Sequence, residues 1–159
     1  MATLNIGMIV KNEEKRLRAT LEALQSLRNA VDCRLIIADT GSNDGTVAIA
    51  QEFADIFLQI TWENDFAKAR NATLAEAKGD WFFYLDADEV LTEPEELIQF
   101  LNNTKLQKKY RSITLEIHNL VSEKRDVWKN FSSTRIFRIE PNTYFEGAIH
   151  EFYPRQLPF

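Results

Sequence analysis

The sequence predicts an α/β fold of three layers, with a mostly parallel central sheet and mixed or antiparallel strands in its C-terminal part. Three observations carry this. Four short runs are continuously or almost wholly apolar, the fourth on both faces, as in a parallel sheet covered on both sides. Helical stripes separate those runs. Beyond about residue 110 the pattern changes to alternation, which marks strands with one wetter face.

The elements follow in order. "LNIGMIV" (Leu4 to Val10) is the first apolar strand. Leu17, Leu21, Leu24 and Leu27 then lie on one face of a helix. "RLIIAD" (Arg34 to Asp39) is the second strand, and Asn43 or Asp44 suits the cap of a helix over "GTVAIAQEFA". "IFLQI" is the third strand. A helical stripe of Phe66, Ala69, Thr73, Leu74 and Ala77 starts at Asp65 and is ended by Gly79. "WFFYL" is the fourth strand. After a helix from about Pro94 to Asn102, "RSITLEIHNL" alternates, with Ile113, Leu115 and Ile117 on one face and Thr114, Glu116 and His118 on the other. "TRIFRI" and "YFEGAIHEF" read as further short strands.

In such an architecture ligands bind beyond the carboxyl ends of the strands. Every polar cluster of the first half falls there: "KNEE", "DTGSNDG", "TWEND" and "DADE" follow the four strands in turn. With 159 residues the chain is one domain, residues 1–90 forming a ligand-binding half and 91–159 a second half that stops early. A net charge of −5 and a pI near 5.1, without a basic stripe, argue against nucleic acid. Cys33 is the sole cysteine, which excludes an intramolecular disulfide and a Cys-based zinc site. The start "MATLNIGMIVKNEE" has no signal-peptide pattern, and no apolar run approaches the about 20 residues of a bilayer span. A cytoplasmic protein is expected, and peripheral membrane association through a partner is compatible with it.

The stretch "WFFYLDADEV" poses the chemical question, because apolar residues placed for burial end abruptly in Asp86, Asp88 and Glu89. Clustered carboxylates resist burial unless something positive sits among them. Residues two apart on an extended segment point the same way, so Asp86 and Asp88 can face one hard cation while Ala87 turns inward. The plain alternative is a helix N-terminus, where acids complement the dipole. Asp39 either closes its own turn or accepts from a ligand N–H. Arg70 is equally a snorkelling surface cation or a fork reaching Asp86 or a phosphate. His118 reads as a surface residue, and His150 beside Glu151 as an ordinary polar pair. Glu13 and Glu14 open a helix. "GSNDGT" has neither the P-loop lysine nor a G-x-G-x-x-G pattern.

In combination, "MIVKNEE", "ADTGSNDGT", "FAKARNATLAEAKGDWFFYLDADE" and "FRIEPNTYFEGAIHE", in that order over residues 4 to 152, resemble family 2 glycosyltransferases of the GT-A (Rossmann-like) fold, in particular bacterial enzymes acting on lipopolysaccharide core, other envelope glycans or peptides. The resemblance implies transfer of a sugar from a nucleotide-diphosphate donor, usually UDP-linked, to an acceptor hydroxyl on a glycan, lipid-linked or peptide acceptor, with inversion and with Mn²⁺ or Mg²⁺. It implies that Asp86 and Ala87 lie at the donor, Asp88 binds the cation, and Asp39 reads the uracil N3–H. Val10, Asn12 and Glu13 would line base and ribose, and Arg70 would sit near the base or diphosphate. His150 would complete the metal shell and Glu151 would be the general base, with Glu146 a nearby alternative. The competing readings are a non-catalytic nucleotide-sugar-binding domain and a nucleotidyltransferase; the second lacks a basic Gly-rich loop after the first strand. A homo-oligomer is compatible with all of them.

Overall fold

The computed structural model describes residues 2–122, 127–142, 144–149 and 151. A seven-stranded sheet runs through the molecule in the order β3-β2-β1-β4-β7-β6-β5. Four strands are parallel: β1 (Thr3–Val10), β2 (Asp32–Asp39), β3 (Ile56–Gln59) and β4 (Trp81–Tyr84). The last three are antiparallel to their neighbours: β5 (Glu89–Leu91), β6 (Ser112–Ser122) and β7 (Val127–Arg138). The sheet therefore changes character where the sequence pattern does. Register places Val10 opposite Asp39 and Gly7 opposite Tyr84, so β1, β2 and β4 end side by side.

The two faces of β4 show why its run is apolar throughout. Trp81 and Phe83 face one way, into the main core with the leucines of α1 (Leu17–Ala23) and α2 (Gln25–Ala30), Ala50 of α3 (Thr46–Phe53), and Leu97 and Leu101 of α5 (Glu95–Leu101). Phe82 faces the other way, packing with Ala67 of α4 (Phe66–Ala75), Phe137 and Phe145. Burying each such side chain contributes about 1.5–3 kcal/mol, so a strand with no polar position costs nothing at either face. Within the second half, Ile117 is buried and Ile113 and Leu115 pack against the core, while Thr114 and Glu116 are exposed. No helix among the described residues is long and apolar enough to cross a membrane.

Several local expectations are refined. The leucine stripe is buried as a unit but spans two helices, because the Leu24 N–H closes on Leu21 O and ends the first one. Asp65 caps α4 by accepting from Lys68 N–H. The first amides of α3 are met by Asp44 Oδ1, which takes Thr46 N–H, and by Glu14 Oε2, which takes Gly45 N–H. Glu14 thus caps a helix, though α3 rather than the helix of its own loop. α4 ends at Ala75, and Gly79 (φ +100°) instead forms the turn into β4. A four-residue helix, α6 (Thr104–Gln107), follows α5 unforeseen.

Two readings are corrected. The acids at 86–89 do not open a helix, since Glu89–Leu91 pairs with β6 as β5. The segment 144–149 is not a strand among its described residues. Phe145 N–H donates to the Asn71 side chain and Ala148 O accepts from Phe66 N–H, so two of its backbone groups are met from α4. Gly147, at φ +96°, bends the chain there.

Cys33 lies on β2, and burial pushes its thiol up from an ordinary value of 9.0 to about 12. The thiol is expected to stay protonated in the native protein at pH 8. Reaction with a chromogenic disulfide reagent should be slow until urea is added, and a full, fast native reaction would refute the burial argument. The sign also makes the fold weaker with rising pH above about 9, where the unfolded thiol ionises first.

Candidate active site

A cavity of about 580 Å³ opens at the carboxyl ends of β1 and β4. Val10, Lys11 and Glu13 line it from the first loop, and Thr40 from the second. Arg70 enters from α4, with Asp86, Ala87 and Asp88 following β4 and Glu151 coming from the chain's end. Trp62, Phe66 and Ile149 give it an apolar side, the first two packed edge to face at 4.9 Å.

Why the loops sit here is legible in their cross-links. Asn12 adopts φ 52° and ties the first loop to the second, donating its N–H to Ser42 Oγ and accepting from Asn43 N–H. Glu13 N–H donates to Thr46 Oγ1. Asn12 is therefore a strut between loops and does not line the cavity. Asp39 is buried beside it, its carboxylate accepting from Gly41 and Ser42 N–H, so it closes its own turn. Val10 and Glu13 do line the cavity. His150 lies outside the described residues.

Arg70 occupies the centre. It is only 4% exposed, lies over the Tyr84 ring at 4.7 Å, and bridges two acids. Its Nη2 donates to Asp86 Oδ1 at 2.6 Å and its Nε to Glu151 Oε1 at 2.5 Å. Burial opposes its charge, but the two carboxylates more than offset that and hold the guanidinium firmly ionised. Its third nitrogen, Nη1, is buried with no hydrogen-bond partner among the described residues. A buried N–H left unmade costs about 1–3 kcal/mol, so this atom is a ready donor for an oxygen brought by a ligand.

Asp86, Asp88 and Glu89 offer carboxylate oxygens within 4.8 Å of one another. They are not equivalent. Glu89 is almost fully buried and held bidentately by Arg135 of β7, with Nη2 to Oε1 at 2.6 Å and Nη1 to Oε2 at 2.7 Å. Burial pushes its carboxyl up while Arg135 works against that shift. Asp86 keeps its second oxygen without a partner among the described residues, and Asp88 faces Arg16 at 3.9 Å. Two half-exposed carboxylates facing one cavity suit Mg²⁺ or Mn²⁺, whose remaining positions go to water and phosphate oxygens. The donor set thus fits a divalent cation with Asp86 and Asp88 as its protein ligands. Ala87 turns inward as its flanking acids turn out, its carbonyl accepting from the buried Thr20 hydroxyl at 2.7 Å.

Three contributors escape the sequence reading: Tyr84, Arg135 and Thr20. Only Arg135 leaves a trace, as a cation inside the apolar run "TRIFRI".

The family model described as "Glycosyl transferase family 2" matches residues 5–150. Among curated relatives, the glycosyltransferase SunS of Bacillus subtilis is 31% identical across 99% of this chain and 37% of its own length. A TPR repeat-containing protein of Synechococcus elongatus is 45% identical across 57% of this chain and 22% of its own. The chain thus spans well under half the length of these relatives. Among solved structures, Staphylococcus aureus TarS 1-349 in complex with UDP-GlcNAc superposes with a TM-score of 0.55 at 18% identity, over 70% of this chain and 33% of that one. The mannosyltransferase PcManGT of Pyrobaculum calidifontis in complex with GDP-Man and Mn²⁺ gives 0.53 at 20% identity, over 60% and 30%. These likenesses are of fold, and the fold is GT-A. With the family model covering nearly all of its length, the chain belongs to glycosyltransferase family 2.

Proposed function

We propose that this chain is the donor-binding and catalytic domain of an inverting glycosyltransferase, which moves a sugar from a nucleotide diphosphate, UDP in the first instance, to an acceptor hydroxyl on a glycan, lipid-linked or peptide acceptor. The observation that carries this reading is the Arg70 bridge. One buried cation joins an acid of the D-x-D motif to an acid across the same cavity and keeps one N–H unsatisfied. A diphosphate supplies the missing acceptor, and its family context supplies the sugar.

Val10 and Glu13 flank the nucleoside, and the unpaired Arg70 Nη1 donates to a diphosphate oxygen. Asp86 and Asp88 hold Mn²⁺ or Mg²⁺, which when bound supplies Lewis-acid neutralisation of the departing diphosphate. His150 is our candidate to complete that shell. Glu151 has its second carboxylate oxygen without a partner among the described residues and takes the acceptor proton there. As the acceptor oxygen bonds to the anomeric carbon, the bond from that carbon to the diphosphate oxygen breaks and the electron pair leaves with it. A single displacement inverts the centre. Asp39, within its turn, keeps lone pairs that can accept from the uracil N3–H.

The test is calorimetric titration of UDP into the purified chain with Mn²⁺ and with EDTA. Binding that needs Mn²⁺ is the expected result, and absence of binding in both overturns the reading. A second reading is a non-catalytic nucleotide-sugar-binding domain, favoured by the ion pair that already engages Glu151. Turnover of a bound UDP-sugar, measured as UDP release, separates the two.

A further inference from the structure

Glu89 completes the acidic cluster in the sequence, yet its surroundings withdraw it from any cation. Both of its oxygens are taken by the Arg135 fork, and Oε2 also accepts from Asp86 N–H at 2.9 Å. The Glu89 N–H returns the bond to Asp86 O at 3.1 Å, closing the turn that carries Asp86, Ala87 and Asp88. Arg135 is itself fixed on three sides. It lies over the Tyr84 ring at 4.8 Å, opposes Phe131, and donates from Nε to Ser133 Oγ. From the helix side, Thr20 Oγ1 donates to Ala87 O. The turn is thus bound to β7 by Arg135, through Glu89, and to α1 by Thr20, through Ala87, and neither Arg135 nor Thr20 lines the cavity.

We infer that Glu89 and Arg135 are positioning residues, whose bidentate pair sets the separation and direction of the Asp86 and Asp88 carboxylates for a divalent cation. The inference rests on the metal role proposed above for those two acids. A buried ion pair across 46 residues is a weak stabiliser, because desolvation offsets much of the attraction. Its placement is better explained by geometry, since partners that orient the ligands of a metal typically govern about 10–100-fold in affinity.

Arg135→Lys keeps the charge and loses the fork. Glu89→Gln keeps the shape and the acceptor for Asp86 N–H but weakens the pair. The probe is Mn²⁺ alone, followed by its electron paramagnetic resonance signal, and then UDP by calorimetry in Mn²⁺ and in EDTA. Each variant that retains the wild-type circular dichroism spectrum is expected to bind Mn²⁺ about tenfold more weakly or worse, with its UDP binding in Mn²⁺ weakened alongside. Should Arg135→Lys fail to fold, Glu89→Gln carries the test. Wild-type Mn²⁺ affinity in a folded variant would overturn the positioning role and leave the metal role intact. A wild-type chain that binds no Mn²⁺ with or without UDP would overturn both.

Discussion

Replacing Arg70 with methionine is expected to lower the unfolding free energy by about 3 kcal/mol, the low end for removal of one member of a buried ion pair. The low end applies because Asp86 is partly solvated while Glu151 is largely buried. Without the guanidinium, Asp86 and Glu151 both lose the cation that pairs them. For a chain of this size the loss corresponds to a fall of about 6–12 °C in Tm. Arg70→Lys should recover part of that stability, since it restores one charge, but a single ammonium cannot reproduce a planar fork spanning two acids. Its UDP affinity should stay about tenfold or more below wild type, the scale of one lost charge-assisted hydrogen bond. Thermal unfolding of both variants, with UDP titrations beside them, decides the matter. A methionine variant that melts within a degree of wild type would show that the bridge contributes nothing net.

Asp88→Ala should do the opposite, sparing the fold and removing function. Asp88 is half exposed, and its cation neighbour Arg16 sits at 3.9 Å, a surface pair worth roughly 0–1 kcal/mol. The variant should unfold within about 0.5 kcal/mol of wild type. Its UDP affinity in Mn²⁺ should fall to the value measured in EDTA, because the cation would lose one of its two carboxylate ligands. Retained Mn²⁺-dependent UDP binding in Asp88→Ala would remove that residue from the metal site. Read together with Arg70→Met, the pair separates a residue that both builds and uses the cavity from one that only uses it.

The unequal exposure of these residues explains what could be foreseen. The four largely apolar runs announce β1 to β4, because strands of a covered parallel sheet carry few polar positions, the buried Asn5 of β1 and the exposed Gln59 of the edge strand β3 being two of them. The change to alternation announces β6, and the polar clusters at strand ends announce where the cavity opens. The segment "YFEGAIHEF" misleads, because its apolar residues resemble a strand while Phe145 N–H and Ala148 O find partners on α4, far earlier in the chain. Asp39 and Asn12 are visible as polar residues in the right loops, but turn closure and loop bracing use the same chemistry as ligand contact.

The sequence by itself determined the layer order, the parallel half of the sheet, the family, and the presence of acids where a buried strand meets solvent. Those are properties of each segment's own periodicity and of short motifs. Only the tertiary structure decided that Arg70 is a buried bridge rather than a surface cation, that Glu89 belongs to Arg135 rather than to the cavity, and that Tyr84 lies against both arginines. Periodicity records which face of an element is buried. It does not record which side chain from 46 or 81 residues away will meet that face, and charge pairing in a low-dielectric interior depends on that meeting.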